Sequence, residues 1–223
     1  MQPSADRTLR LFDDPSGPGT APVPLGRGAS WLRGFALPAA ALLLAALPGV
    51  IAAAPLRRMT TPGGLRMGVV MTNCGALGWV SDQHGYRYDA LDPDSGARWP
   101  AMPACFAALA TAAAARAGFP GFTADACLVN RYTPGTRLTL HQDRNERDFD
   151  APIVSVSLGI PAVFLFGGRT RSEPPRRVPL AHGDVLVWGG PARLRFHGVM
   201  PVVDGDHPAL GRQRINLTFR KAG

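Results

Sequence analysis

From Cys127 to Arg220 the chain passes through short stretches of strand-like pattern: CLVNRYT, RLTLH, IVSVSLG, AVFLFGG, DVLVWGG, RLRFHGV and RQRINLTFR, bounded by Gly, Pro, Asn or Asp. A period of two sends successive side chains to opposite faces of a strand, and many short strands at regular spacing predict a sandwich or barrel. A β-rich part opens earlier, at Gly68–Met71, after the turn TTPGG of residues 60–64. The N-terminal half reads differently. Pro103–Gly118 (PACFAALATAAAARAG) predicts a helix, with Pro in its first turn and Gly at its end. Phe35–Pro55 carries no charge and predicts a buried helix interrupted by Pro38, Pro48 and Gly49; these breaks, and a preceding stretch unlike a signal peptide, argue against a membrane span. Residues 1–30 show no periodicity and predict a flexible arm, leaving 31–223 as a single domain. The expected fold class is α+β, mainly β: a double-stranded β-helix (jelly roll, cupin-like) with N-terminal helices packed on the sheet.

The last run adds a constraint. In Arg214–Arg220 the residues 214, 216, 218 and 220 are polar and share one face, while Ile215, Leu217 and Phe219 share the other. If the apolar set packs on the helices, two arginines point into the barrel, where unpaired guanidinium groups are costly. Either internal Asp or Glu residues pair with them, or a small dicarboxylate lies between Arg214 and Arg220. Asn130 and Tyr132, in NRY, share a parity and can serve the same ligand.

Charge and cysteine content narrow the setting. The 24 Lys and Arg outweigh the 16 Asp and Glu, for a formal charge of +8, which suits a polyanionic partner. Lys221 is the single lysine, so the arginine excess itself reflects codon bias and carries no weight. Cys74, Cys105 and Cys127 are odd in number and lack a CxxC spacing, so no disulfide framework or zinc knuckle is indicated, and a reducing cytoplasm is the expected location.

Chemistry concentrates at His141-Gln142-Asp143, at the end of the strand-like RLTLH. Residues i and i+2 of an extended chain share a side, so His141 and Asp143 can hold one metal ion. His197, in a later strand of the same barrel, is the best third ligand. A second HxD, His182-Gly183-Asp184, reads as a turn entering a strand, with Asp184 bonding turn amides. His84 reads as a hairpin turn and His207 as a surface loop.

Together these motifs resemble the AlkB-type iron(II)- and 2-oxoglutarate-dependent dioxygenases, above all the bacterial members. The resemblance runs from MTNCG at Met71 through GW at Trp79, WPAMP, NRYTPG, LHQD, APIVSVSLG, FGG, HGDVLVWGG and FHG to NLTFR, over roughly residues 60–223. It implies a nucleotide-recognition part near 60–100 and a catalytic jelly roll near 125–223. It further implies iron(II) held by His141, Asp143 and His197. The distal carboxylate of 2-oxoglutarate would go to Arg214, Tyr132 and Asn216, and the other carboxylate to Asn130 and Arg220. The implied reaction is oxidative demethylation of 1-methyladenine and 3-methylcytosine in DNA, and in RNA, with O2 consumed and succinate, CO2 and formaldehyde released. Trp79, Tyr86 and Met71 would line the base pocket, with the ring of His141 stacking on the base. Arg144 leads the phosphate contacts, ahead of Thr61, Gln142, Arg169 and Arg171. One departure stands out: the resemblance calls for an acidic pair after HxD, and this chain has Asn145-Glu146.

Two other functions fit part of the sequence. One is a 2-oxoglutarate-dependent hydroxylase or demethylase of a protein or small molecule, against which the charge and aromatic pocket argue. The other is a non-enzymatic, basic nucleic-acid-binding β-domain with a structural metal, against which the ligand set argues, since structural zinc favours four protein ligands and often thiolates. A monomer is the default, with no membrane association.

Overall fold

The computed structural model describes residues 21–223, so residues 1–20 of the expected arm lie outside the described residues. The remainder of that stretch is not an arm. Val23–Gly26 (β1) and Ala29–Leu32 (β2) pair as an antiparallel hairpin that buries Leu25, Ala29 and Trp31. Pro24, Gly26 and Gly28 break the alternation into runs too short to read. Gly28 is required: its φ is +78°, and a Cβ there would lie 2.5 Å from the Gly189 carbonyl oxygen.

After a single 3₁₀ turn at Leu37–Ala39, helix α1 spans Ala40–Ala53 without the expected interruption. Ala40, Leu43, Leu47 and Val50 form its buried stripe, at helical spacing. Pro48 and Gly49 fall on the exposed side, where water can serve the carbonyl that proline leaves without a donor. Helix α2 covers Ala104–Arg116, behind Pro103 at the N-cap, and buries Phe106, Leu109, Ala110, Ala113 and Ala114. No helix among the described residues is long and apolar enough to cross a membrane.

Both helices cover one face of a seven-stranded antiparallel sheet. Its order is β1-β2-β11-β8-β13-β6-β3, with β3 at Val70–Gly75, β6 at Ala126–Tyr132, β8 at Ile153–Gly159, β11 at Val185–Trp188 and β13 at Arg214–Arg220. A second sheet, β10-β9-β12-β7, faces it across the interior, built from β7 (Leu138–His141), β9 (Ala162–Phe166), β10 (Arg176–Leu180) and β12 (His197–Val199). This is the expected jelly roll, with two open sheets. β10 was not legible as a strand because Pro179 interrupts it; proline is tolerated there because β10 is an edge. A separate hairpin, β4 (Gly78–Asp82) and β5 (Gly85–Asp89), turns at His84 as expected.

β13 lies between β8 and β6 and separates the two compartments. Ile215, Leu217 and Phe219 join the core under the helices, where Phe219 meets Phe106 edge-on at 6.2 Å. Arg214, Asn216, Thr218 and Arg220 face the inter-sheet space. Leu217→Ala, at a fully buried position beneath both helices, is expected to cost about 3 kcal/mol, checked by urea denaturation of the purified protein.

Candidate metal centre and the cleft around it

The pairing of β7 with β12 sets His141 directly opposite His197, and their rings approach to 4.4 Å between centroids. Two residues beyond His141, Asp143 brings its Oδ1 to 3.6 Å from His141 Nε2 and 3.8 Å from His197 Nε2. One donor atom from each of the three lies within 4.8 Å of the others. Both imidazoles are oriented by backbone: Nδ1 of His141 lies 2.9 Å from the Thr139 carbonyl, and Nδ1 of His197 lies 3.0 Å from that of Arg195. With Nδ1–H donating to a carbonyl, each Nε2 lone pair is turned to the centre. Burial pushes His197 down to about 4, with His141 adding to the effect and Asp143 opposing it, so it is a neutral ligand at pH 7.

Asp143 is held from behind. Burial alone would raise its carboxyl, but Arg220 and the two imidazoles hold it well below the usual carboxylate range. Arg220 donates to Asp143 Oδ2 from Nη2 at 2.7 Å and Nε at 2.9 Å, and its Nε lies 3.2 Å from Glu146 Oε1. Of the two inward arginines, Arg220 therefore has internal carboxylate partners. Arg214 has none. It is 1% exposed, its guanidinium sits 5.0 Å over the Tyr132 ring, and only Nη2 is bonded, to Ser157 Oγ at 2.9 Å. Its Nε and Nη1 are buried without a partner.

The remaining expected residues, Arg169 excepted, fall around one cleft of about 970 Å³ between the sheets. Asn130 lies directly opposite Asn216, and its amide reaches Asn216 Oδ1 at 3.5 Å. The Asn216 amide is occupied within the sheet: it donates to Ser155 Oγ and the Val156 carbonyl and accepts from Thr218. The unpartnered donors in this part of the cleft are those of Arg214, beside Tyr132. Met71 is buried next to Asn130. Trp79 and Tyr86 line the mouth and stack at 5.7 Å with their planes 15° apart. Asn145 accepts from Trp79 Nε1 at 3.3 Å and donates to the Tyr86 carbonyl at 3.2 Å, bracing the hairpin.

Gln142 donates to the Leu194 carbonyl, Arg171 lies 5.1 Å over the Phe196 ring, and Arg144 is exposed at the rim. Thr61 also lines the cleft, whereas Arg169 is exposed outside its wall. Sequence reasoning missed Arg66 and Arg137, which line the same mouth, and the buried group formed by Tyr88, Glu146 and Arg193. The second HxD is structural: Asp184 accepts from Gly34 N and Ala181 N, and His182 Nδ1 accepts from Gly159 N.

Two imidazoles and one carboxylate converging within the cleft make the donor set of a non-haem iron(II) oxygenase, a set that leaves other coordination positions for cosubstrate and oxygen. The buried, unpartnered N–H groups of Arg214 suit a carboxylate. The comparisons agree. Residues 28–220 match the model of the 2OG-Fe(II) oxygenase superfamily. The alpha-ketoglutarate-dependent dioxygenase AlkB of Salmonella typhimurium is 55% identical over 199 residues, which cover 89% of this chain and 92% of that one. A nucleic acid dioxygenase of Mus musculus, ALKBH1, is 35% identical over 133 residues, covering 58% of this chain and 34% of that one. The solved structure of OsALKBH1 superposes with a TM-score of 0.78 at 28% identity, over 90% of this chain and 99% of that one. The chain belongs to the AlkB family of 2-oxoglutarate- and iron(II)-dependent dioxygenases. Iron(II), 2-oxoglutarate and O2 are its metal, cosubstrate and oxidant.

Proposed function

We propose that this dioxygenase demethylates alkylated bases, 1-methyladenine and 3-methylcytosine, in DNA and in RNA. The observation that carries the proposal is the stacked pair Trp79–Tyr86 on the cleft that also holds His141, Asp143, His197 and the unpartnered Arg214. A methyl group on a Watson–Crick edge is unreachable inside a duplex, so the base must leave the stack, and an aromatic face then holds it with about 1–3 kcal/mol. A lesion that cannot pair costs less to extract, which lets one cleft serve single and double strands. The +8 charge and the arginines at the rim, 66, 137, 144 and 171, suit phosphates, which position a strand without reading it.

In this reading His141, Asp143 and His197 are the iron ligands. Iron(II), when bound, couples oxygen activation to decarboxylation of 2-oxoglutarate and oxidation of the N-methyl group, giving succinate, CO2 and formaldehyde. Arg214 and Tyr132 hold the distal carboxylate; Asn130 and Arg220 stand beside the other. The His141 ring, on the cleft wall, stacks under the base. Residues near 60–100 hold the base and residues near 125–223 the metal and cosubstrate, acting together as a monomer in the cytoplasm.

The test is release of formaldehyde and repaired base from an oligonucleotide carrying either lesion, with and without 2-oxoglutarate. Repair that depends on 2-oxoglutarate supports the proposal. Succinate formation without repair overturns the substrate assignment and leaves the cosubstrate assignment standing.

Asn145 gives a sharper expectation. Its amide both accepts from Trp79 and donates to the Tyr86 carbonyl. A carboxylate can do only the first, and it brings charge to the base pocket. Asn145→Asp is expected to change the ratio of 1-methyladenine to 3-methylcytosine turnover about fivefold, the scale of one hydrogen bond worth about 1 kcal/mol. Measured kcat/KM ratios that match in both proteins would refute it.

A further inference from the structure

Three residues in one short loop grip different objects. Asp143 faces the metal centre, Asn145 bonds Trp79 Nε1 and the Tyr86 carbonyl, and Glu146 accepts the Tyr88 hydroxyl at 2.8 Å. Trp79 and Tyr88 are cross-strand partners, as are Ser81 and Tyr86, so the ring pair and the Tyr88 hydroxyl stand on one face of the same two-stranded ribbon.

Glu146 is deeply buried, with its side chain 1% exposed, and it is charged on both sides. Arg193 Nη2 lies 3.0 Å from Oε2, in ion-pair contact, and Arg220 Nε lies 3.2 Å from Oε1. Arg193 also donates to the Asp143 and Ala151 carbonyls. Arg220 continues the line to Asp143 Oδ2. Two guanidinium groups and two carboxylates thus form a buried, charge-balanced cluster, and the Tyr88 hydroxyl bonds it to the hairpin.

We propose that Glu146 is a positioning residue that couples base binding to the metal and cosubstrate site, through Tyr88 on one side and Arg220–Asp143 on the other. The inference rests on the demethylase reading above. A base seated against Trp79 and Tyr86 fixes the hairpin, the Tyr88–Glu146 bond fixes the loop, and the loop fixes the orientation of Asp143. Whichever ligand binds first orders this line and spares the second that cost, so the coupling is positive and reciprocal.

The test is a linkage measurement without turnover. Affinity for a labelled oligonucleotide carrying 1-methyladenine is measured anaerobically, with and without Co(II) plus 2-oxoglutarate, alongside the unmethylated oligonucleotide. Wild type is expected to bind the methylated strand about fivefold more tightly when loaded, and the unmethylated strand without change. Tyr88→Phe, which removes one hydroxyl, is expected to bring the ratio below about twofold while affinities for Co(II) and for the strand on the unloaded protein stay within about twofold of wild type. Glu146→Gln is expected to lose the coupling and to weaken Co(II) binding as well, because Arg220 then bears on Asp143 alone. Full coupling in Tyr88→Phe, or equal coupling for the unmethylated strand, overturns the inference. A wild-type protein that binds the methylated strand with no coupling overturns it and leaves the demethylase reading intact; one that binds no strand overturns both.

Discussion

Asp143→Ala is expected to abolish 2-oxoglutarate turnover while leaving oligonucleotide binding largely intact. One carboxylate oxygen faces both imidazole Nε2 atoms and the other receives the double donation from Arg220. Removing it deletes a metal ligand and strips Arg220 of its nearest partner in one change. Loss of an outer partner of a metal ligand typically costs about 10–100-fold, so loss of the ligand should exceed about 100-fold in succinate formation. The same substitution leaves the guanidinium groups of Arg193 and Arg220 sharing Glu146 alone, and breaking a buried pair costs about 3 kcal/mol or more. A lower Tm in the metal-free protein is therefore part of the expected result. The phosphate contacts proposed above lie at the rim, away from Asp143, so binding of an undamaged oligonucleotide is expected to persist. Undiminished succinate formation by Asp143→Ala would remove Asp143 from the metal site.

Much of this centre was legible because its signals are local. Strand parity placed Arg214, Asn216, Thr218 and Arg220 on the inner face, and HxD placed His141 and Asp143 side by side. The pairing of Arg220 was not legible, since its partner Asp143 lies 77 residues away and no period connects them. Glu146 was noted only as the second member of an altered acidic pair; its burial between two arginines needs the chain closed on itself. Asn216 shows the limit of parity: its face was right, yet its amide is taken up by Ser155, Val156 and Thr218 on its own sheet. Pro48 misled for a related reason. Proline removes one helical hydrogen bond and crowds the preceding turn, but here it falls on the wet side of α1, where water can serve the freed carbonyl and the buried stripe holds the helix.

Arg214→Met is expected to produce opposite changes in stability and activity. The wild-type guanidinium is buried with two nitrogens, Nε and Nη1, unpaired, an arrangement that costs about 1–3 kcal/mol per unsatisfied polar group and more for a charged one. Burial also lowers the pKa of this arginine, with Tyr132 opposing the shift. Methionine fills a similar volume without the orphaned donors, so the variant without cosubstrate should melt at a higher temperature than wild type. The cost is then visible in binding. In wild type a dicarboxylate held by Arg214, as proposed, would convert the unpaired donors into charge-assisted bonds, and saturating 2-oxoglutarate at about 100 times its Kd should add about 2.7 kcal/mol to stability. In Arg214→Met that increment should vanish, and the KM for 2-oxoglutarate should rise by about 100-fold, on the scale of about 2–5 kcal/mol for truncating one partner of a buried charge pair. Thermal melts of both proteins, with and without 2-oxoglutarate and Co(II), separate the two effects. If wild type and variant gain equal stability from 2-oxoglutarate, the distal carboxylate is held elsewhere and Arg214 is orphaned for another reason.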